Sequence, residues 1–318
     1  MRVLELAGGV GGAKLAHGLQ AHLATDLTVV VNTGDDLERH GLLVMPDHDT
    51  VMYTLAGVED RAQGWGVANE TFAAAGFLAR YGEETWFRLG DRDLATHIVR
   101  TARLHRGDRP TDVCRALQRS LGVRATILPM SDDPVRTEVR TDDGWLEFQD
   151  YFVRLHQEPT VHEVRFRGLE ATRPTAEVQG AILGADIIVI GPSNPIVSVG
   201  PILALPGMRE ALAGAAGRGT PIVAVSPIVA GRALRGPADR MLISLGHESS
   251  ALGVARLYAG AATAFALDSR DVALEPAISA LGLATLVTDT IMSDDAARAR
   301  LAGDVLAFAA ALAHGRGA

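Results

Sequence analysis

At 318 residues and 47% hydrophobic, the chain can bury one large core or two modest ones, and its composition excludes intrinsic disorder. A formal charge of −8 excludes a protein that wraps nucleic acid, which relies on dense Lys and Arg, so any phosphate must be held locally. The lone Cys114 excludes a disulfide framework or thiolate metal cluster, and Glu5 in the first apolar run rules out a secretory h-region, so a cytoplasmic protein is expected.

In chain order, apolar β-branched runs bounded by turn residues predict strands at 3–7, 27–32, 185–190, 220–225, 263–267 and 284–288. They lack polar alternation, as expected of parallel strands covered on both faces. Helical patterns lie between many of them, such as Ala13, Ala16, Leu19 and Leu23, or Leu301, Val305, Phe308 and Leu312. The sum is a doubly wound, mostly parallel, Rossmann-like α/β sheet. The middle departs from this. Residues 68–121 read as mainly helical, while Val135, Thr137, Val139 and Thr141 alternate, turn at Asp142-Asp143-Gly144 and resume at Trp145. One domain over 1–318 with an inserted helical and antiparallel subdomain at about 66–170 is the economical reading. The uncharged stretch 187–208 is long enough to cross a bilayer, but Pro192, Asn194, Pro195, Pro201 and Pro206 break it into strand, loop and helix, so no membrane partner is expected.

Ligands of such sheets sit where loops leave the carboxyl ends of strands. The first loop, AGGVGGAKL, fits neither the Walker A nor the dinucleotide fingerprint. Gly9, Gly11 and Gly12 still permit close backbone approach, and a helix beginning near Gly12 would aim free N–H groups and its positive end at an anion, beside Lys14, the chain's only lysine. A phosphate cradle and a tight strand-to-helix turn both satisfy these residues. The second loop carries Asp35 and Asp36, then Asp47 and Asp49. Carboxylates so gathered repel unless a cation or solvent intervenes, and Mg²⁺ is the natural cation; the alternative is that Asp47 or Asp49 caps the helix that follows and Asp36 is a solvated turn residue.

Further along, Arg88, Asp91, Arg92, Asp93 and His97 read as a salt-bridge cluster, with His97 lacking a companion at metal-ligand spacing and therefore structural. Cys114, in an amphipathic segment, reads as a buried thiol. Ser193 and Asn194 in the PSNP turn present a hydroxyl and an amide, and the loop bearing Gly231, Arg232, Arg235 and Gly236 suits a diphosphate or is simply solvated.

Taken together, GGVGGAKL, NTGDDLERHG, PDHDTVMYTLAG, RLGDRDLATH, GPSNPIVSVGPIL, SPIVAGRALRGPADRM and TDTIM closely resemble the 2-phospho-L-lactate transferase family (CofD or FbiA) of coenzyme F420 biosynthesis, in matching order from about residue 3 to 292. The resemblance implies a Mg²⁺-dependent transfer from a guanosine diphosphate esterified to lactate or enolpyruvate onto the deazaflavin Fo, releasing GMP. It implies that Asp35 and Asp49 bind metal and serve catalysis, that Asp49 and Arg88 contact Fo, and that Gly9, Gly11, Gly12, Lys14, Ser193, Asn194, Gly231 and Arg235 face the donor. A homodimer is also implied. The glycine loop resembles as well the gluconeogenesis-factor (YvcK-like) proteins, regulators that bind nucleotide sugars; the PDHDT, LGDRDLATH and PSNP segments favour the transferase.

Overall fold

The computed structural model describes residues 1–315. The six expected strands form at Val3–Ala7, Leu27–Val31, Ile187–Ile190, Ile222–Val225, Ala264–Asp268 and Ala284–Thr288, and Thr126–Pro129 adds a seventh. Across the sheet the order is Ala284–Thr288, Ala264–Asp268, Ile222–Val225, Ile187–Ile190, Val3–Ala7, Leu27–Val31, Thr126–Pro129, with every neighbouring pair parallel. The chain winds outward from Val3–Ala7 in one direction and, after Ile187–Ile190, in the other. The crevice between these two strands is the topological switch point of a doubly wound sheet.

Strand residues alternate between two cores. Leu4, Leu6, Ile188 and Ile190 face one, with Val178, Ile202, Met208 and Leu212 from the helices on that side. Val3, Ala7, Val29, Val31, Ile187 and Val189 face the other, with Leu15 and Leu19 of the helix Gly9–Leu23 and Leu301 and Val305 of the helix Asp295–Gly315. Continuous apolar runs thus serve both faces, which is why they show no polar alternation.

The span 66–170 contains the helices Ala73–Arg80, Asp91–His105 and Pro110–Ser120, then the sheet's edge strand Thr126–Pro129, then a separate antiparallel sheet of Gly144–Glu147, Arg136–Thr141 and Glu163–Arg167. The edge strand ends on a proline, which is tolerated because its outer side has no ladder partner. No helix among the described residues is long and apolar enough to cross a membrane.

Candidate functional site

Over the switch point lies a cleft of about 1040 Å³, lined by segments from Gly8 to Ser293. Its floor is the glycine loop. The helix begins at Gly9, three residues earlier than the glycine pattern suggested, because Gly8 is extended and Gly9 takes φ +59°, a left-handed conformation that a glycine adopts without strain. Gly9, Val10 and Gly11 therefore form the first turn and line the cleft. Gly11 and Gly12 are also packing glycines. A Cβ at Gly11 would strike the Pro192 carbonyl, and one at Gly12 would lie 2.7 Å from both Ala7 Cβ and Ser193 Oγ. Ser193 Oγ in turn accepts from Gly8 N–H at 3.1 Å, tying the two loops of the crevice together.

Asp47 sits against this helix end. A Cβ on Gly8 would be 2.6 Å from its Oδ2. Asn32, just past the strand Leu27–Val31, donates to that oxygen at 3.0 Å and to the Val197 carbonyl at 3.2 Å, while its own oxygen accepts from Gly34 N–H at 2.8 Å. Burial pushes Asp47 up to about 6, against hydrogen bonds from Asn32 and the Gly9 backbone. Asp35 is also raised well above its ordinary value, first by burial and then by the nearby charge of Asp47, and Asp36 is raised by burial. Asp35 Oδ1 and Asp36 Oδ1 are buried without a partner. Asp35 and Asp47 are thus neighbouring carboxyl groups with no basic side chain bonded to either.

Asp49 is different. Two residues on in the helix Pro46–Ala56, its carboxylate is gripped by both terminal nitrogens of Arg100, with NH1 to Oδ2 at 3.0 Å. His48 Nδ1 lies 3.2 Å from Oδ1. Burial alone would raise Asp49, but the Arg100 guanidinium, His48 and His97 hold it well below the usual carboxylate range. His97 does have a companion, because Asp93 one turn earlier places Oδ1 3.2 Å from its Nε2. Asp49, Asp93 and His97 present ligand atoms within 4.8 Å of one another, the spacing of a metal site. Arg100 NH1, however, lies 3.0 Å from Asp49 Oδ2 and 3.1 Å from His97 Nδ1, so the guanidinium already supplies a cation there. Tyr53 closes the network through hydrogen bonds at 2.8 Å to Asp93 and Thr96.

Part of the cleft wall is aromatic. Trp65, Trp86, Phe87, Phe148 and Phe152 line it, including two of the chain's three tryptophans, and Phe148 and Phe152 stack at 5.4 Å. Arg88 stands exposed at this wall with its guanidinium 4.2 Å over the Phe72 ring, outside any ion pair with Asp91 or Asp93. Those neighbours serve structure: Asp91 accepts from Ala73 and Ala74 N–H, and Glu70 from Arg92 and Asp93 N–H.

Of the residues expected from sequence, Gly9, Gly11, Lys14, Asp35, Asp49, Arg88, Ser193, Asn194 and Arg235 line this one cleft. Gly12 is packed beneath it, and Gly231 lies in the Val229–Arg232 turn at φ +78°. Asn194 spends its amide oxygen on the Ile196 N–H at 2.9 Å. Lys14 donates to the Met292 carbonyl at 3.1 Å, and burial, then Arg298 and Arg235, lower its ammonium.

Residues 3–275 match the family described as 2-phospho-L-lactate transferase CofD. The chain belongs to the CofD family. Similar relatives include a phosphoenolpyruvate transferase of Kitasatospora aureofaciens, 42% identical over 99% of this chain and all of the relative, and a 2-phospho-L-lactate transferase of Methanosarcina mazei, 41% identical over 92% of this chain and 95% of the relative. This CofD-family protein is accordingly a transferase. A solved UPF0052-family structure from Bacillus halodurans shares the fold, with a TM-score of 0.62 at 16% identity over 96% of this chain and 98% of that one. Sequence reasoning missed Asn32, Tyr53, Arg100 and the aromatic wall around this CofD-family cleft: Asn32 and Tyr53 stand inside the NTGDD and PDHDTVMYTLAG segments, where the aspartates drew the reading, and nothing local marks Arg100 or the wall.

Proposed function

We propose that the chain transfers a phospholactyl or phosphoenolpyruvyl group from a guanosine diphosphate donor to the deazaflavin Fo, with Mg²⁺, releasing GMP and giving F420-0 or its dehydro form. The observation that carries this reading is a single cleft that joins a glycine-rich helix N-terminus and an under-neutralised carboxylate pair to an aromatic wall. The first two suit a diphosphate with its cation, and the third suits a planar tricyclic acceptor. The names of the curated relatives favour transfer over a regulatory nucleotide-sugar binder.

The unpartnered Asp35 Oδ1 fits a hard cation, while Asp49, whose charge Arg100 already balances, adds only the lone pair that its Oδ2 keeps beyond Arg100. Asp35 and Asp49 are the proposed Mg²⁺ ligands. Mg²⁺, when bound, supplies charge neutralisation on the phosphates of the donor. The Gly9–Gly11 turn, Lys14 and Arg235 hold the diphosphate, and in-line displacement asks for little beyond such positioning. Arg88 and the aromatic wall hold the Fo ring. Because Arg100 keeps Asp49 ionised and weakly basic, Asp49 orients the attacking ribityl hydroxyl instead of taking its proton. A homodimer in the cytoplasm accompanies this reading.

Incubating the protein with Fo and Mg²⁺ and, separately, lactyl- and enolpyruvyl-diphospho-guanosine tests it. One donor at least is expected to yield the corresponding F420 precursor by mass, with GMP. No product from either donor overturns the proposal.

A further inference from the structure

The place where the helix Gly9–Leu23 is most ready to receive an anion already has one. Asp47 packs its carboxylate onto Gly8 and Gly9, within contact of where a side chain on Gly8 would begin, and Asn32 pins it there through Oδ2 at 3.0 Å. The carboxylate is 8% exposed as a residue and lies beside Asp35, whose Oδ1 is buried with no partner and which also faces the cleft. Asp47 therefore borders the first-turn N–H groups with Asp35 beside it, and Arg100, which neutralises Asp49, makes no hydrogen bond to either.

We infer that Asp47 is an electrostatic gate on the glycine loop, admitting a diphosphate ester only together with a divalent cation. The inference rests on the phosphate-binding role proposed for that loop and gives Asp47, which that reading assigns to neither metal nor substrate, a function of its own. A diphosphate arriving alone meets the largely buried Asp47 carboxylate at a few ångströms, a repulsion that outweighs the attraction of a helix end worth about half a unit charge. With a cation held next to Asp35, the same carboxylate is screened and the N–H groups become available. Metal-free donor is thus excluded, and binding and charge neutralisation are coupled before any chemistry occurs.

Calorimetric titration with inorganic pyrophosphate, in EDTA and in Mg²⁺, tests the gate without Fo or turnover. Wild type is expected to bind in Mg²⁺ and at least about tenfold more weakly in EDTA, whereas Asp47→Asn binds nearly as well in EDTA as in Mg²⁺. Asp47→Ser, which cannot accept from Asn32 in the same way, guards against a particular failure of the amide to pack. Asp35→Asn is expected to lose the Mg²⁺ enhancement more than it gains metal-free affinity. If neither Asp47 variant tightens metal-free binding, the gate is overturned while the loop still binds phosphate. If pyrophosphate binds no variant under either condition, the phosphate role of the loop itself fails, and the gate with it.

Discussion

Arg100 is fully buried, and both of its terminal nitrogens are committed to Asp49 while its Nε has no partner. A guanidinium held this way acts through its charge on Asp49, since desolvating both ions costs several kcal/mol and only tight bidentate geometry offsets it. Arg100→Gln leaves Asp49 buried beside Asp36 with only imidazoles to balance it, and urea denaturation is expected to show a loss of about 3–5 kcal/mol. Arg100→Lys keeps the charge without the fork, so it should recover more than half of that stability yet leave turnover depressed, because a point charge does not fix the plane of the Asp49 carboxylate. Equal activity in the lysine variant and wild type would show that only charge matters. The pairing was not legible in the sequence. The two residues stand 51 positions apart, and the helix pattern around Arg100 marks it merely as one more basic residue. That Asp35, Asp49 and Arg88 belong to one cleft was legible from the segments that resemble the family, but how Asp35 and Asp47 pair is a property of the folded cleft.

Within the first strand, Glu5 takes an inward position between Val3 and Ala7, with both carboxyl oxygens buried and unpartnered. Burial raises it well above its usual 4.5, so the folded protein keeps a proton that the unfolded chain releases. The native state then binds more protons than the unfolded state above that value, and stability falls as pH rises until the folded-state value is passed. Glu5→Gln removes this dependence. The stability of the variant relative to wild type should therefore climb between about pH 5 and pH 7, with a slope of at most about 1.4 kcal/mol per pH unit for one proton, read from urea midpoints. A pH-independent difference would show that Glu5 is ionised in the fold. Elements themselves were readable where burial on both faces produced long apolar runs. The strand Thr126–Pro129 escaped because it has only four residues and ends on proline, and the helix start at Gly9 escaped because its first turn is made of residues with low helix propensity.

At the scale of the whole molecule, doubly wound topology was legible because strand and helix periods alternate, and that topology alone places the glycine loop and the PSNP turn on one crevice. The aromatic wall was not, since its members come from residues 65, 86–87, 148 and 152 and share no period. The same dispersal means that the mouth of the cleft must be held by contacts between distant parts of the chain. Arg235, from the second half, donates to the carbonyls of Gln63 and Ala62 in the first half, and its charge is felt by Lys14 at the glycine loop. Two roles are therefore open to one exposed side chain: a strap between loops, or a direct phosphate contact. Arg235→Ala removes both, and because its surface is solvated the unfolding free energy should stay within about 0.5 kcal/mol of wild type. If Arg235 acts equally on the ground and transition states, KM for the donor rises by roughly tenfold while kcat holds. Arg235→Lys separates the roles, because it restores a cation but not a planar fork able to reach two carbonyls. The double carbonyl contact leads to the expectation that lysine fails to restore KM. Full recovery by lysine would assign Arg235 to charge alone and leave the mouth of the cleft to be held by the Lys14 contact with Met292.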